Sequence, residues 1–402
     1  MKIIAAILLL AAPLSAQTIN DSDLGGKGFS ILSERRVESE GRREPGAIVF
    51  QLKSSASPKA SAEKAVTGVL ELVDLAGAAH AGRLAQVKLL GTGASDAWIQ
   101  TTDDGRFSIP LPDGLSGTYR LRVSLDNRYW AYHNPNSDSG YEWETKDFPL
   151  SAGAGTDLGS VRPAAGAENA KLAVLHLLYL EALDFLRTNA DVDWWTTPLA
   201  INWPSNGDFY TPGGWSLDLT DPTHWDVVTH ELGHAVQAGM MNIRSAGGEH
   251  KIDQCYSPEL AWSEGWASFF AIAVHAKLDD ADAKFQYMVP RRAPIRVENV
   301  PADVCQGEAS EWRVTAGLWD LIDTHDDGLD HFSMPFNALW KSLRGQSMGS
   351  MTEAWALIKT QIPAGQQRAA EDALIQNTLL PARAPLTVSL PKMAPSFDGS
   401  PR

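Results

Sequence analysis

Thr229-His230-Glu231-Leu232-Gly233-His234-Ala235-Val236-Gln237 is the stretch on which the reading of this 402-residue chain turns. It is an H-E-x-x-H pattern. Upstream, Asp221-Pro222 supplies an N-cap followed by proline at the first helical position, and Gly239 stands near the far end, so a helix is expected from Asp221 to about Met240. Four residues carry a helix through roughly 400°, which stacks His230 and His234 on one face, close enough for both imidazoles to reach one ion. Glu231 is turned about 100° from His230, which sets its carboxylate beside that ion instead of on it. A base acting on water belongs there. Two ordinary core histidines would leave Glu231 half-buried between them without a cation partner.

A catalytic zinc needs a third protein ligand and one open position. Ser257-Pro258-Glu259 announces a second helix, to about Lys277, containing Trp262-Ser263-Glu264-Gly265-Trp266-Ala267-Ser268-Phe269-Phe270. Among those aromatic residues a carboxylate is expensive unless it meets a cation, so Glu264 is the favoured third ligand. Glu259 suits a first-turn acid drawn to the helix dipole, and Glu249 and His250 lie in a Gly-flanked loop; all three stay open as rivals. A third histidine soon after His234 is absent, Asn242 and Ile243 occupying that region.

These residues resemble the gluzincins, the thermolysin-like clan in which two histidines on one helix and a glutamate on the next hold zinc. The resemblance is carried by His230, Glu231, His234 and Glu264, and extends loosely from strands near Ile201 and Leu217 to Trp319-Asp320-Leu321. It implies a mainly helical α+β zincin-type catalytic domain over residues 163–380, with Zn2+ as cofactor on His230, His234 and Glu264. It also implies hydrolysis of peptide bonds by a zinc-activated water, with Glu231 as the general base that later protonates the leaving amine. In that clan an Asp one turn after the ligand glutamate commonly supports a zinc-bound histidine. Here Ser268 stands at that position, and Asp226, one turn before His230, is the alternative orienting group. An oxyanion donor is also implied; Tyr256, Tyr287 and His331 are available, and no spacing rule selects one.

Ahead of this region, residues 64–162 read as a small antiparallel β-sandwich. Short runs at Val69–Leu72, Val87–Leu90, Trp98–Thr101, Phe107–Pro110 and Tyr119–Leu125 are bounded by Gly, Asp or Pro, and Asp104-Gly105 marks a hairpin turn. The stretch from Thr101 to Ile109, followed by Gly117 to Val123, resembles the transthyretin-like regulatory domain found beside many exported peptidases. Ala167 to Thr188 carries leucines at helical spacing, and later helices are expected at 311–324, 333–344, 351–362 and 366–379, before a Pro-rich tail at 381–402. Asp323-Thr324-His325-Asp326-Asp327-Gly328 resembles the start of an EF-hand loop. With His at the third position and Met334 where a bidentate Glu should be, it reads as a helix-ending acidic turn. The 14 tryptophans read as packing.

Met1-Lys2, an apolar run to Ala12 and Pro13-Leu14-Ser15-Ala16 have the order of a secretory signal peptide over residues 1–16. Residues 17–63 then read as a leader, linker or prosegment. Export to the periplasm or the extracellular space makes a Cys255–Cys305 disulfide the expectation. A net charge of −15 argues against a nucleic-acid surface, and no other stretch is apolar enough for a mature transmembrane segment. The partner implied is a peptide or protein substrate. The competing reading is a non-catalytic exported adhesion or binding protein with a structural zinc site; such a site has no use for Glu231.

Overall fold

The computed structural model describes residues 29–31, 64–137, 140–195, 197–244, 248–289 and 292–383. The expected signal peptide, nearly all of residues 17–63 and the tail beyond 383 lie outside them.

Alternation of apolar and polar residues between 64 and 161 produces two sheets. Ala65–Val73 pairs antiparallel with Arg106–Pro110 and Ala79–Ala81, and parallel with Thr156–Val161. Gln86–Leu90 and Gly117–Ser124 pair antiparallel and are flanked by Ile99–Gln100, Glu142–Glu144 and Phe148–Leu150. Val66, Leu70, Phe107 and Ile109 from one sheet share a core with Val87, Leu89, Leu121 and Val123 from the other. Gly105 takes φ 77° in the expected turn, where a Cβ would stand 2.5 Å from the Leu70 carbonyl oxygen. The region is therefore β-rich but not purely antiparallel: Thr156–Val161 runs parallel, a direction that side-chain alternation does not encode.

One strand inside the 64–162 stretch belongs elsewhere. Trp130–His133 pairs parallel with Leu199–Asn202, which continues to Ser216–Asp218 and Phe209–Thr211 in a mixed four-stranded sheet.

The remaining chain is largely helical. Helix α1 (Ala167–Asn189) buries its leucine stripe, and α2 (Trp225–Met240) and α3 (Pro258–His275) pack beside it. Then come α4 (Glu311–Trp319), α5 (Phe336–Leu343), α6 (Met351–Ile358) and α7 (Gln367–Gln376). Ser257 caps α3 as expected, its side chain accepting from the Leu260 amide at 3.2 Å. Helix α2 starts later than Asp221-Pro222 suggests. Asp221 accepts from the Thr223 amide at 3.0 Å and pairs with Lys171 at 3.0 Å, closing a turn of its own before the helix begins.

Two glycines bring the helices close. A Cβ on Gly233 would lie 2.8 Å from Ala267 Cα, and one on Gly265 would lie 2.5 Å from Val314 Cγ1, so α2 meets α3 and α3 meets α4 nearly backbone to backbone. Cys255 and Cys305 are joined, tying the approach to α3 to the approach to α4. No helix among the described residues is long and apolar enough to cross a membrane.

Candidate metal centre

Helix α2 turns His230 and His234 to α3, and α3 presents Glu264 and Ser268 in return. Nε2 of His230 stands 3.2 Å from Glu264 Oε2, and Nε2 of His234 3.1 Å from the same oxygen. Ligands roughly 2.0–2.2 Å from a tetrahedral ion are themselves about 3.4 Å apart, so these separations are close to the edges of a zinc coordination polyhedron. The three donor atoms all lie within 4.8 Å of one another. Burial alone would raise the Glu264 pKa, yet the His234 and His230 imidazoles hold it well below the usual carboxylate range. Two imidazoles and a carboxylate converging in a buried pocket form a donor set that fits a zinc ion.

Glu231 is buried beside these groups and makes no hydrogen bond among the described residues. Burial raises its pKa, and the nearby His230 and His234 only partly oppose that.

His230 is supported from two other helices. Ser268 Oγ lies 3.0 Å from His230 Nδ1 and donates to Glu311 Oε1 at 3.0 Å. A proton on Nδ1 can therefore pass its hydrogen bond through the hydroxyl to a carboxylate, leaving Nε2 as the free lone pair facing Glu264. Ser268 thus links His230 to an acid supplied from the first turn of α4. Asp226 does not orient His230. Its Oδ2 accepts from the amides of Gln286, Tyr287 and Met288 at 2.7, 2.7 and 3.1 Å, which fixes that loop instead.

Of the rival ligands, His250 is near: its Nε2 is 3.3 Å from Glu264 Oε2 and 3.3 Å from Glu311 Oε2. Burial pulls the His250 imidazole down, but Glu311 and Glu264 outweigh it and lift it to about 10. It bridges the two acids, on the same Glu264 oxygen that His230 and His234 face. Glu249 is exposed, and Glu259 sits in the first turn of α3. Among the possible oxyanion donors, Tyr256 packs edge-on against His250, Tyr287 stacks on His224, and His331 faces Asp326 at the surface. Glu311 announced itself by no spacing rule; its only mark in the sequence is an acid following Ser310 at a helix start.

Residues 188–378 match the family described as the Mycolysin C-terminal domain. That is a domain of a thermolysin-family peptidase, and the matched segment contains His230, Glu231, His234, Glu264, Ser268 and Glu311. The match agrees with the thermolysin-type resemblance at the level of a peptidase-family domain. No curated protein matches the chain. Among solved structures, that of Klebsiella pneumoniae 5-hydroxyisourate hydrolase is similar at 15% identity, over 25% of this chain and 92% of its own, with a TM-score of 0.17. A likeness at that level decides neither fold nor activity.

Proposed function

We propose that this chain is an exported zinc metallopeptidase whose catalytic domain is of the gluzincin type. The observation that carries the reading is the convergence of His230 Nε2, His234 Nε2 and Glu264 Oε2, with an unbonded Glu231 carboxylate alongside. His230, His234 and Glu264 would hold the ion. Bound there, zinc supplies Lewis acidity, acidifying water and polarising the scissile carbonyl. Ser268 and Glu311 hold the His230 ring in one tautomer, and the close contact of α2 with α3 fixes the spacing of the three donors. Glu231 takes a proton from the attacking water and returns it to the leaving amine. Among the described residues three donors converge, not four, with the Glu231 carboxylate beside them; both features favour hydrolysis over a structural zinc. The leader-like residues 1–16 and the Cys255–Cys305 bond favour export.

The test is metal analysis paired with casein hydrolysis on the same preparation. One zinc per chain is expected, with activity abolished by a chelator and restored by added zinc. Folded, zinc-loaded protein that cleaves neither casein nor a mixed peptide library would overturn the reading in favour of a binding protein.

A further inference from the structure

A second group of acids lies at the other end of α4. Glu311, in the first turn of this helix, faces the His250 and Ser268 side, whereas Asp320 follows its last residue and Asp323, His325, Asp327 and Asp330 follow in the next loop. A helix of nine residues is about 13 Å long, so the two groups are separate. Glu298 joins the second group from the segment before α4: an oxygen of Glu298, a ring nitrogen of His325 and an oxygen of Asp327 all lie within 4.8 Å of one another.

Four of these acids are as buried as core leucines. Glu298 is 4% exposed, Asp320 1%, Asp323 1% and Asp330 2%. Ordinary packing would demand a cation for each, and among the described residues no lysine or arginine pairs with any of them. The imidazole of His325, with Nδ1 3.6 Å from Glu298 Oε2, is the basic side chain that faces them. The protein instead grips each carboxylate by one oxygen. Trp319 Nε1 donates to Glu298 Oε1 at 2.7 Å, Asn377 Nδ2 to Asp320 Oδ2 at 2.6 Å, the His325 amide to Asp323 Oδ2 at 3.3 Å, and Gln376 Nε2 to Asp327 Oδ1. The other oxygens of Asp320 and Asp323 are buried with no partner at all.

The donor set is rich in oxygen, and Gly328 sits at φ 46° after Asp323, His325 and Asp327, where an EF-hand places its turn glycine. Met334, at the position of the bidentate acid, is buried and apolar, and Glu298 brings a carboxylate from another segment. The reading of this stretch as a plain acidic turn is therefore incomplete, because the missing ligand is remote in sequence. We propose that Glu298, His325 and Asp327, with the neighbouring carboxylates of Asp323 and Asp330, bind a second divalent cation, and that this cation is calcium. Several carboxylates in irregular array favour a hard ion of flexible coordination over zinc, which prefers nitrogen and sulfur in a tetrahedron, and over magnesium, which retains its waters. Held there, calcium anchors the loop after α4, and with it the helix that carries Glu311. The inference does not depend on the peptidase reading.

The test uses the full chain stripped of metals and reloaded with zinc alone. Terbium serves as the calcium probe, since Trp319 donates directly to Glu298 and can sensitise its emission. Tryptophan-excited terbium emission should appear at one equivalent, be displaced by calcium but not by zinc, and weaken roughly tenfold or more in affinity in Asp327→Asn, the less buried member. Calcium should also raise the Tm of the wild type and leave that of Asp327→Asn much less changed, with zinc content equal in both. Asp323→Asn is the second variant, and if either fails to fold the wild-type titrations still decide. No sensitised emission and no Tm response to millimolar calcium would overturn the proposal. So would an undiminished response in both variants, or displacement by zinc in preference to calcium.

Discussion

Replacing Glu231 with glutamine removes one basic oxygen and almost no volume. Glu231→Gln should keep the fold and stoichiometric zinc while losing nearly all casein hydrolysis, because an amide cannot accept the proton of water. Activity within tenfold of wild type would remove Glu231 as the base. Glu264 is tested differently, by metal content of the folded protein. Glu264→Ala leaves two histidines on one helix, and zinc should be lost on dialysis; one tightly retained zinc would exclude Glu264 and turn attention to His250, already 3.3 Å from its Oε2. At this scale the sequence was informative where the residues share a helix. The spacing of His230, Glu231 and His234 follows from helical pitch alone, and Glu264 stood out as an acid among aromatics. Glu311 could not be found that way, since it reaches His230 only through Ser268 and across a helix interface. Asp226 was misread for a related reason: its position on α2 says nothing of the three amides that the 286–288 loop brings to it.

The helices position these groups through what they lack. A methyl group on Gly233 would meet backbone, Ala267 Cα at 2.8 Å and its carbonyl oxygen at 2.9 Å, neither of which can rotate away. Gly233→Ala should therefore force α2 from α3, with a cost of roughly 1–3 kcal/mol in urea unfolding and a fall in zinc affinity beyond that seen for an exposed Gly→Ala change such as Gly365→Ala. Equal zinc affinity in the two variants would show that the close approach does not set the ligand spacing. Helix existence was readable throughout the second half of the chain, because apolar periodicity and caps repeat the same message. Helix ends were less so. Asp221 closes a turn with Thr223 and Lys171 before α2 starts, and α4 stops at Trp319 where the buried acids begin, both outcomes of contacts made by side chains far apart in sequence.

Across the whole molecule, the β-rich and helical parts share one continuous core, and His176 sits at the join. Its Nε2 donates to the Arg83 carbonyl at 2.9 Å, while Nδ1 accepts from Trp130 Nε1 at 3.3 Å and lies 3.2 Å from the Tyr132 hydroxyl. That arrangement suits a neutral ring, and burial lowers its pKa from 6.5 to about 4. The unfolded chain takes up a proton below about 6.5 while the folded chain does not until about 4, so stability is full above that window and falls as pH drops through it, by up to roughly 3 kcal/mol. His176→Gln should flatten the loss between about pH 7 and 4.5 relative to wild type. Zinc release at low pH is common to both proteins and cancels in the difference; identical pH dependence would exclude His176 as its source. The two-part layout was legible from the change in residue pattern near residue 163, but the strand Trp130–His133 was not: Trp-Ala-Tyr-His is short, and nothing local tells it to leave its own sheets for another. Its departure means that the helical half is completed by a graft from the chain that precedes it. Cut at residue 163, the Leu199–Asn202 strand would lose its neighbour on one side and present bare amides and carbonyls to solvent, an invitation to pair with another molecule. Such a fragment should self-associate on size-exclusion chromatography where one that begins at residue 64 stays monodisperse, and a synthetic peptide spanning Trp130–His133 should compete for the vacant edge.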